Sequence, residues 1–112
     1  MSKSASSFVV LLLTLLISSP LWAGEAYWID VRSQGEYEAG HVEDAINIPH
    51  TEIAGRIAGV TEDKATPLYL YCRSGRRSGI AMEALQEMGY SQVINVGGYE
   101  DAQTKAAQIN AK

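Results

Sequence analysis

One stretch of the chain decides the fold, and it reads Leu68-Tyr69-Leu70-Tyr71-Cys72-Arg73-Ser74-Gly75-Arg76-Arg77-Ser78. Its first four residues are apolar and aromatic, as in a strand that is buried on both faces. The strand ends at Cys72, the only cysteine of the chain. Ser78 is a good helix N-cap, and the apolar spacing after it predicts a helix that runs to Met88 and stops at Gly89. The stretch is therefore a strand, a loop that begins with cysteine and the start of a helix.

Residues 72–78, here called the cysteine loop, carry an unusual concentration of positive charge. Arg73, Arg76 and Arg77 all lie within five residues of Cys72. A helix N-terminus adds inward backbone N–H groups and about half an elementary positive charge. All of these charges favour a thiolate over a thiol, and they also suit a small bound dianion. A single cysteine at a strand end is more commonly a buried apolar residue, but such a residue has no need of three arginines.

Strands and helices alternate along the rest of the chain. The pattern predicts strands at 26–31, within 41–49, at 68–71 and at 93–96, with helices at 33–40, 51–58 and 78–88 and a helix-permissive tail from 99. Ser33 and Glu36 have the spacing of a capping box at the start of the first helix. This alternation predicts a small three-layer α/β domain, with a mostly parallel sheet and helices on both of its faces.

Residues 1–23 have the pattern of a signal peptide. Lys3 gives a positive start, and an apolar run follows at 8–17. This run of ten residues is too short to span a bilayer, which takes about 20. We therefore expect cleavage after Ala23, export to a bacterial periplasm and no stable membrane association afterwards, with an uncleaved anchor as the alternative. Residues 24–112 then form a single domain.

Composition and charge exclude several classes of function. Residues 24–112 carry 8 basic and 13 acidic residues, a net charge of −5, so we expect no nucleic-acid partner and interpret the arginine cluster as a focused site for a small anion. A single cysteine allows neither an internal disulfide nor a dithiol cycle. His41 and His50 have no partners at metal-ligand spacing. We expect no metal, nucleotide, flavin or other cofactor.

Several stretches, taken together and in order, resemble the rhodanese-homology domain family. They are Ile29-Asp30-Val31-Arg32, Glu36-Tyr37, Gly40-His41-Val42, Asn47-Ile48-Pro49, Cys72-Arg73-Ser74-Gly75-Arg76-Arg77-Ser78, Met88-Gly89-Tyr90 and Val93-Ile94-Asn95-Val96-Gly97-Gly98. Any one stretch alone is weak, but the conjunction is specific and covers roughly residues 27–100. With its short length and signal peptide, the chain most resembles the small single-domain members of the periplasm. Tyr99 stands close to where members often carry tryptophan.

The resemblance implies a thiosulfate sulfurtransferase. Its catalytic thiolate, here Cys72, would attack the outer sulfur of thiosulfate and release sulfite. The resulting persulfide would pass its sulfur to cyanide or to a thiol acceptor. A role in a stress response follows from the resemblance alone, and we expect a monomer. The residues expected to bind substrate are Arg73, Ser74, Gly75, Arg76, Arg77 and Ser78.

Two residues outside the cysteine loop are expected to support the site. Asp30 and Arg32 lie at the end of a neighbouring strand and are interpreted as a buried pair that ties this strand to the loop region. His41 is expected to bond to the backbone. Within the loop, Gly75 is expected to supply a φ that other residues resist.

Two alternative functions remain open at this point. Dual-specificity phosphatases of the cell cycle share the fold, but their signature resembles Cys-x5-Arg. The corresponding position here is Ser78, and Arg77 gives a shorter loop that suits a single sulfur atom. A phosphatase or arsenate reductase is therefore the weaker alternative. The other is a sulfur carrier or an anion-binding thiol module without fast turnover.

Overall fold

The computed structural model describes residues 26–110. The predicted signal peptide and its cleavage site lie outside the described residues. Within them, four strands form one parallel sheet in the order β2-β1-β3-β4. The strands are β1 (Tyr27–Asp30), β2 (Ile46–Asn47), β3 (Leu68–Tyr71) and β4 (Val93–Gly97).

Helices alternate with these strands, as the sequence predicts. They are α1 (Gln34–Ala39), α2 (Ile53–Arg56), α3 (Arg76–Glu87) and α4 (Tyr99–Asn110). The single helix expected at 51–58 is instead α2 flanked by two 3₁₀ turns, His50–Glu52 and Ile57–Gly59. Glycines in and just after this segment weaken α-helix and favour the tighter, shorter turns.

Two hydrophobic clusters lie on opposite faces of the sheet. On one face, apolar residues of β1 and β3 pack against Ile53 and Ile57 and against Ala81 and Leu85 of α3. The other face is covered by α1 and α4. Tyr37 of α1 and Ala102 and Ala106 of α4 pack there with Tyr71 of β3 and with Val42, which follows α1. The three-layer α/β prediction is therefore confirmed.

The starts of α1 and α3 differ in how they are capped. In α1 the capping box forms: the Ser33 hydroxyl accepts from the Glu36 N–H at 3.2 Å, and the Glu36 carboxylate accepts from the Ser33 N–H at 3.0 Å. The expectation that Ser78 caps α3 is wrong. The helix starts two residues earlier, at Arg76, because Gly75 takes a left-handed conformation and occupies the N-cap position. Ser78 is then inside the first turn.

The carboxyl ends of β1, β3 and β4 bring the candidate residues to one edge of the sheet. The pairing of β3 with β4 is irregular between Leu70 and Tyr71. After this irregularity the Cys72 N–H donates to the Gly97 carbonyl at 3.1 Å, and Ser74 forms an antiparallel bridge with Gly98. None of the helices within residues 26–110 has the length and apolarity that a membrane span requires.

Candidate active site

Cys72 lies directly after the central strand and is almost fully buried, with 1% of its surface exposed. The cysteine loop and the first turn of α3 curl around its sulfur. The Gly75 N–H donates to Sγ at 2.9 Å, and the Ser78 Oγ lies 3.5 Å from it. The backbone thus presents donors to the sulfur, as the sequence predicts.

Gly75 makes this curl possible. Its φ of +105° lies in the left-handed region that side chains disfavour, which confirms the expectation for this glycine. A Cβ at the same position would also lie 3.4 Å from the Cα of Gly97. Gly98 is tighter still, because a Cβ there would lie 2.6 Å from the Arg73 carbonyl oxygen. The glycine pair that ends β4 therefore makes room for the cysteine loop.

Burial and hydrogen bonding act on the Cys72 thiol in opposite directions. Burial raises its pKa, because a charged sulfur is poorly solvated there. Hydrogen bonds from the Ser78 hydroxyl and from the N–H groups of Ser78, Ser74 and Gly75 outweigh burial and lower the pKa to about 7. At neutral pH about half of the sulfur is therefore thiolate. Loop hydrogen bonds, more than the arginine charges, activate this cysteine.

The three arginines occupy different environments. Arg73 and Arg76 are exposed, and neither guanidinium forms an ion pair with any residue of 26–110. Arg77 is half-buried and donates to both carboxylate oxygens of Glu36, at 2.9 and 3.1 Å. This pair raises the pKa of Arg77 and lowers that of Glu36 to about 2. Arg73 and Arg76 are the arginines with charge available to an incoming anion.

Asp30 and Arg32 form the expected buried pair. Arg32 donates to Asp30 through Nε at 2.9 Å and through Nη2 at 2.7 Å, and Nη2 also donates to the Gly40 carbonyl at 2.6 Å. The hydrogen bond and charge of Asp30 raise the pKa of the Arg32 guanidinium despite its burial. Asp30 also accepts from the Tyr71 hydroxyl at 3.0 Å. The pair therefore ties β1 to the residue directly before Cys72.

Aromatic rings close this region from the side of α4. The Tyr99 ring stacks on Tyr71 at 5.9 Å and lies 4.6 Å from the Arg32 guanidinium carbon. Tyr99 thus packs against both the residue before Cys72 and the buried guanidinium. His41 bonds through Nδ1 to the Tyr37 carbonyl at 2.8 Å, which confirms its backbone contact.

Sequence reasoning missed two contributors to the site. Glu36 was assigned only to the capping box, although it also holds Arg77. Asn95 was placed in a strand without a role, yet its side chain bonds to Gly75, Ser78 and Gly97. Its spacing of two from Gly97 is the signature of an Asx turn and is the one signal that could have identified it.

Among residues 26–110, no three His, Cys, Asp or Glu side chains come together as a metal site would require.

Comparisons with known proteins agree with this geometry. A family model described as the rhodanese-like domain matches residues 16–105. The thiosulfate sulfurtransferase PspE of Escherichia coli (strain K12) is 48% identical over 92 residues, which cover 82% of this chain and 88% of that protein. A sulfurtransferase of Allochromatium vinosum is 34% identical over 70 residues, covering 62% of this chain and 64% of that protein.

A solved structure extends the agreement to three dimensions. The structure described as a rhodanese with anions from E. coli has a TM-score of 0.66 and 49% sequence identity. It covers 68% of this chain and 89% of its own. The likeness therefore extends over most of a domain and not over a single motif.

Proposed function

This chain belongs to the rhodanese-like domain family, and from that premise we propose that it is a thiosulfate sulfurtransferase that works through Cys72. Two of its relatives described above carry sulfurtransferase names, and one of these is identical to it at nearly half of the aligned positions. The geometry that carries the proposal is a buried sulfur 2.9 Å from the Gly75 N–H, with a pKa lowered to about 7. Such a sulfur is nucleophilic near neutral pH.

The first half of the proposed cycle loads a sulfur atom onto the protein. The Cys72 thiolate attacks the outer sulfur of thiosulfate and forms a new S–S bond. The S–S bond of thiosulfate breaks, and its electron pair leaves with sulfite, so that two charges depart and one remains on the persulfide. No general base is needed, because hydrogen bonds in the loop already favour the thiolate.

The second half unloads that atom. Cyanide attacks the terminal sulfur of the persulfide, leaves as thiocyanate and restores the thiolate. A thiol acceptor would act in the same way as its thiolate and depart as a persulfide. Thiosulfate and cyanide or a thiol are thus the small-molecule partners that we propose.

The residues of the cysteine loop have separate proposed roles. Arg73 and Arg76 draw in the thiosulfate dianion and support departing sulfite. The N–H groups of Ser74, Gly75 and Ser78 hold the reacting sulfur atoms. Arg77, which the sequence also assigns to substrate binding, mainly fixes the loop to α1 through Glu36. Asp30 and Arg32 support β1 and β3 beneath the site.

The alternative functions have less support. A phosphatase of this fold would place arginine at position 78, where this chain has a buried serine. A carrier without fast turnover would not need two exposed arginines beside an activated thiol.

We also propose that the protein is exported to the periplasm as a monomer after cleavage of residues 1–23. The short apolar run at 8–17 supports export. A stress-response role is proposed from the family resemblance alone.

The decisive experiment is the intact mass of the purified protein before thiosulfate, after thiosulfate and after subsequent cyanide. We expect a gain of about one sulfur atom that cyanide removes as thiocyanate. If no thiosulfate concentration produces the adduct, the proposed function is wrong. The starting mass of protein expressed with its full sequence reports the cleavage site.

A further inference from the structure

Asn95 joins β4 to the start of α3 beside the reactive cysteine. Its side chain is accessible to solvent but makes three hydrogen bonds. Nδ2 donates to the Gly75 carbonyl at 3.0 Å, and Oδ1 accepts from the Gly97 N–H at 3.0 Å. The same Oδ1 lies 2.6 Å from the Ser78 Oγ.

These partners fix the orientation of the Asn95 amide. The Gly97 N–H can only donate, so the amide atom that faces it must be the oxygen. The Gly75 carbonyl can only accept, so the atom that faces it must be the nitrogen. The contact between Ser78 and Asn95 is therefore between a hydroxyl and an acceptor, and Ser78 must supply the hydrogen.

The Ser78 hydroxyl has one hydrogen and three acceptors within reach. They are the Asn95 Oδ1 at 2.6 Å, the Gly75 carbonyl at 3.2 Å and the Cys72 Sγ at 3.5 Å. A hydroxyl donates one hydrogen bond at a time. Its shortest contact, with Asn95, therefore competes directly with donation to the sulfur.

We infer that Asn95 is a positioning residue that sets the direction of the Ser78 hydroxyl and, through it, the readiness of Cys72 to react. This inference rests on the proposed use of Cys72 as the nucleophile. With a thiol, the Sγ–H donates to Ser78 Oγ, and Ser78 donates to Asn95. With a thiolate, the hydroxyl turns to the sulfur, because an ionised acceptor holds a hydrogen bond more strongly than an amide oxygen.

During the proposed cycle, the charge on Sγ then decides whether the Ser78 hydroxyl donates to the sulfur or to Asn95. Once the persulfide forms, Sγ is a neutral, weak acceptor, and the hydroxyl returns to Asn95. By accepting from the Ser78 hydroxyl, Asn95 thus stabilises the thiol and the persulfide, in which Sγ carries no charge. It thereby lowers the fraction of Cys72 that is present as thiolate. Only the Ser78 hydroxyl rotates, so Asn95 can keep its bonds to both glycines throughout.

Two substitutions at position 95 should act in opposite directions. Asn95→Leu removes the competing acceptor, so at about pH 6 we expect alkylation of Cys72 by the neutral reagent iodoacetamide to be roughly threefold faster. Asn95→Asp keeps an acceptor for Ser78 and adds a negative charge, so we expect alkylation to be roughly threefold slower or more. A purely structural role would slow the reaction, or leave it unchanged, in both variants.

The Ser78→Ala background is the matched control. Without the hydroxyl, Asn95→Leu should not speed alkylation at any pH, because Asn95 then keeps only its bonds to Gly75 and Gly97, and their loss loosens the loop that holds the sulfur. A rate increase that survives in this background would overturn the inference, as would equal effects of Leu and Asp. Asn95→Ala serves in place of Asn95→Leu if circular dichroism shows that the leucine variant is unfolded.

This test is separable from that of the proposed function. Alkylation requires no thiosulfate, so it reports the direction of the hydroxyl even if the wild-type protein forms no persulfide. Persulfide formation in the wild type with no change in alkylation in the Asn95 variants would reject this inference alone.

Discussion

Two ionisable groups are buried at neighbouring strand ends, and they are held in different ways. Asp30 is fully buried, and its carboxylate accepts from the Arg32 guanidinium at 2.7–3.1 Å and from the Tyr71 hydroxyl at 3.0 Å. The Cys72 sulfur is almost equally buried but accepts only from N–H groups and from a hydroxyl that it shares with Asn95. Its arginine neighbours are exposed or, in the case of Arg77, turned toward Glu36.

This difference shows that the kind of partner, and not the depth of burial, separates a structural anion from a reactive one. A carboxylate that is locked to a guanidinium has its charge cancelled and its lone pairs occupied. A sulfur that is held by backbone dipoles has no cation that cancels its charge.

Cys72→Ser should remove the proposed nucleophile, the Cys72 sulfur, completely. Because a hydroxyl at this position is a far weaker nucleophile, we expect thiocyanate production from thiosulfate and cyanide to fall by about a thousandfold or more. Circular dichroism should show an intact fold, since serine has a similar volume. Substantial remaining activity would mean that the sulfur is not the nucleophile.

Asp30→Ala should instead break the buried ion pair of Asp30 with Arg32. It leaves the Arg32 guanidinium buried and unpaired, so we expect a loss of about 3–5 kcal/mol in the free energy of unfolding, measured with urea. In the double variant Asp30→Ala/Arg32→Met, part of this stability should return, because the unpaired charge is gone. A loss below about 1 kcal/mol in the single variant would argue against a tightly coupled pair.

The pH dependence of alkylation should distinguish the folded thiol from an ordinary one. Since the pKa of Cys72 is lowered to about 7, the thiolate persists down to neutral pH and is lost below it, about tenfold for each further pH unit. The rate with iodoacetamide should therefore have its midpoint near that value. In urea-unfolded protein the midpoint should move up to about 8.5. Identical midpoints in the two states would mean that the loop does not activate the sulfur.

Arg76→Ala should affect the anion and not the thiol. With one exposed guanidinium gone, we expect the KM for thiosulfate to rise roughly fivefold, and this effect should shrink at high salt. Alkylation by the neutral reagent should change little. The matched control is Arg56→Ala, which removes an exposed arginine that is paired with Glu52 on another part of the surface. If both variants behave alike, Arg76 acts only through net charge.

Glu36→Gln should have the smallest effect. Glutamine can complete the capping box, so we expect the free energy of unfolding to change by less than about 1 kcal/mol. Arg77 is released from its carboxylate partner, and the KM for thiosulfate should fall by roughly a factor of two. A rise in KM would show that the ion pair positions Arg77 for the anion.

The sequence predicts the local part of this site well. Cys72 at the end of β3 and the unusual φ of Gly75 both follow from residue types and their immediate neighbours, as does the capping box of Ser33 and Glu36. These features depend on backbone sterics and hydrogen bonds within a few residues of the chain, so residue types and short spacings are enough to predict them.

The remainder depends on contacts between distant parts of the chain. Ser78 has the side chain of an N-cap, but its hydroxyl contacts Asn95 and the sulfur, and Gly75 occupies the N-cap position instead. The pairing of Arg77 with Glu36 joins the start of α3 to α1, 41 residues earlier in the chain. Neither contact follows from composition or spacing, since both require that the sheet be assembled first.

The bond from the Cys72 N–H to the Gly97 carbonyl has a consequence for the order in which the chain matures. Gly97 and Gly98, against which the cysteine loop closes, come later in the sequence than the cysteine itself. During synthesis or refolding, the cysteine loop therefore has no backbone partner at Gly97 until β4 has docked. A chain that ends before β4 carries every residue that bonds to the sulfur but lacks the strand against which the loop closes, so we expect its thiol to be less well ordered than in the complete domain.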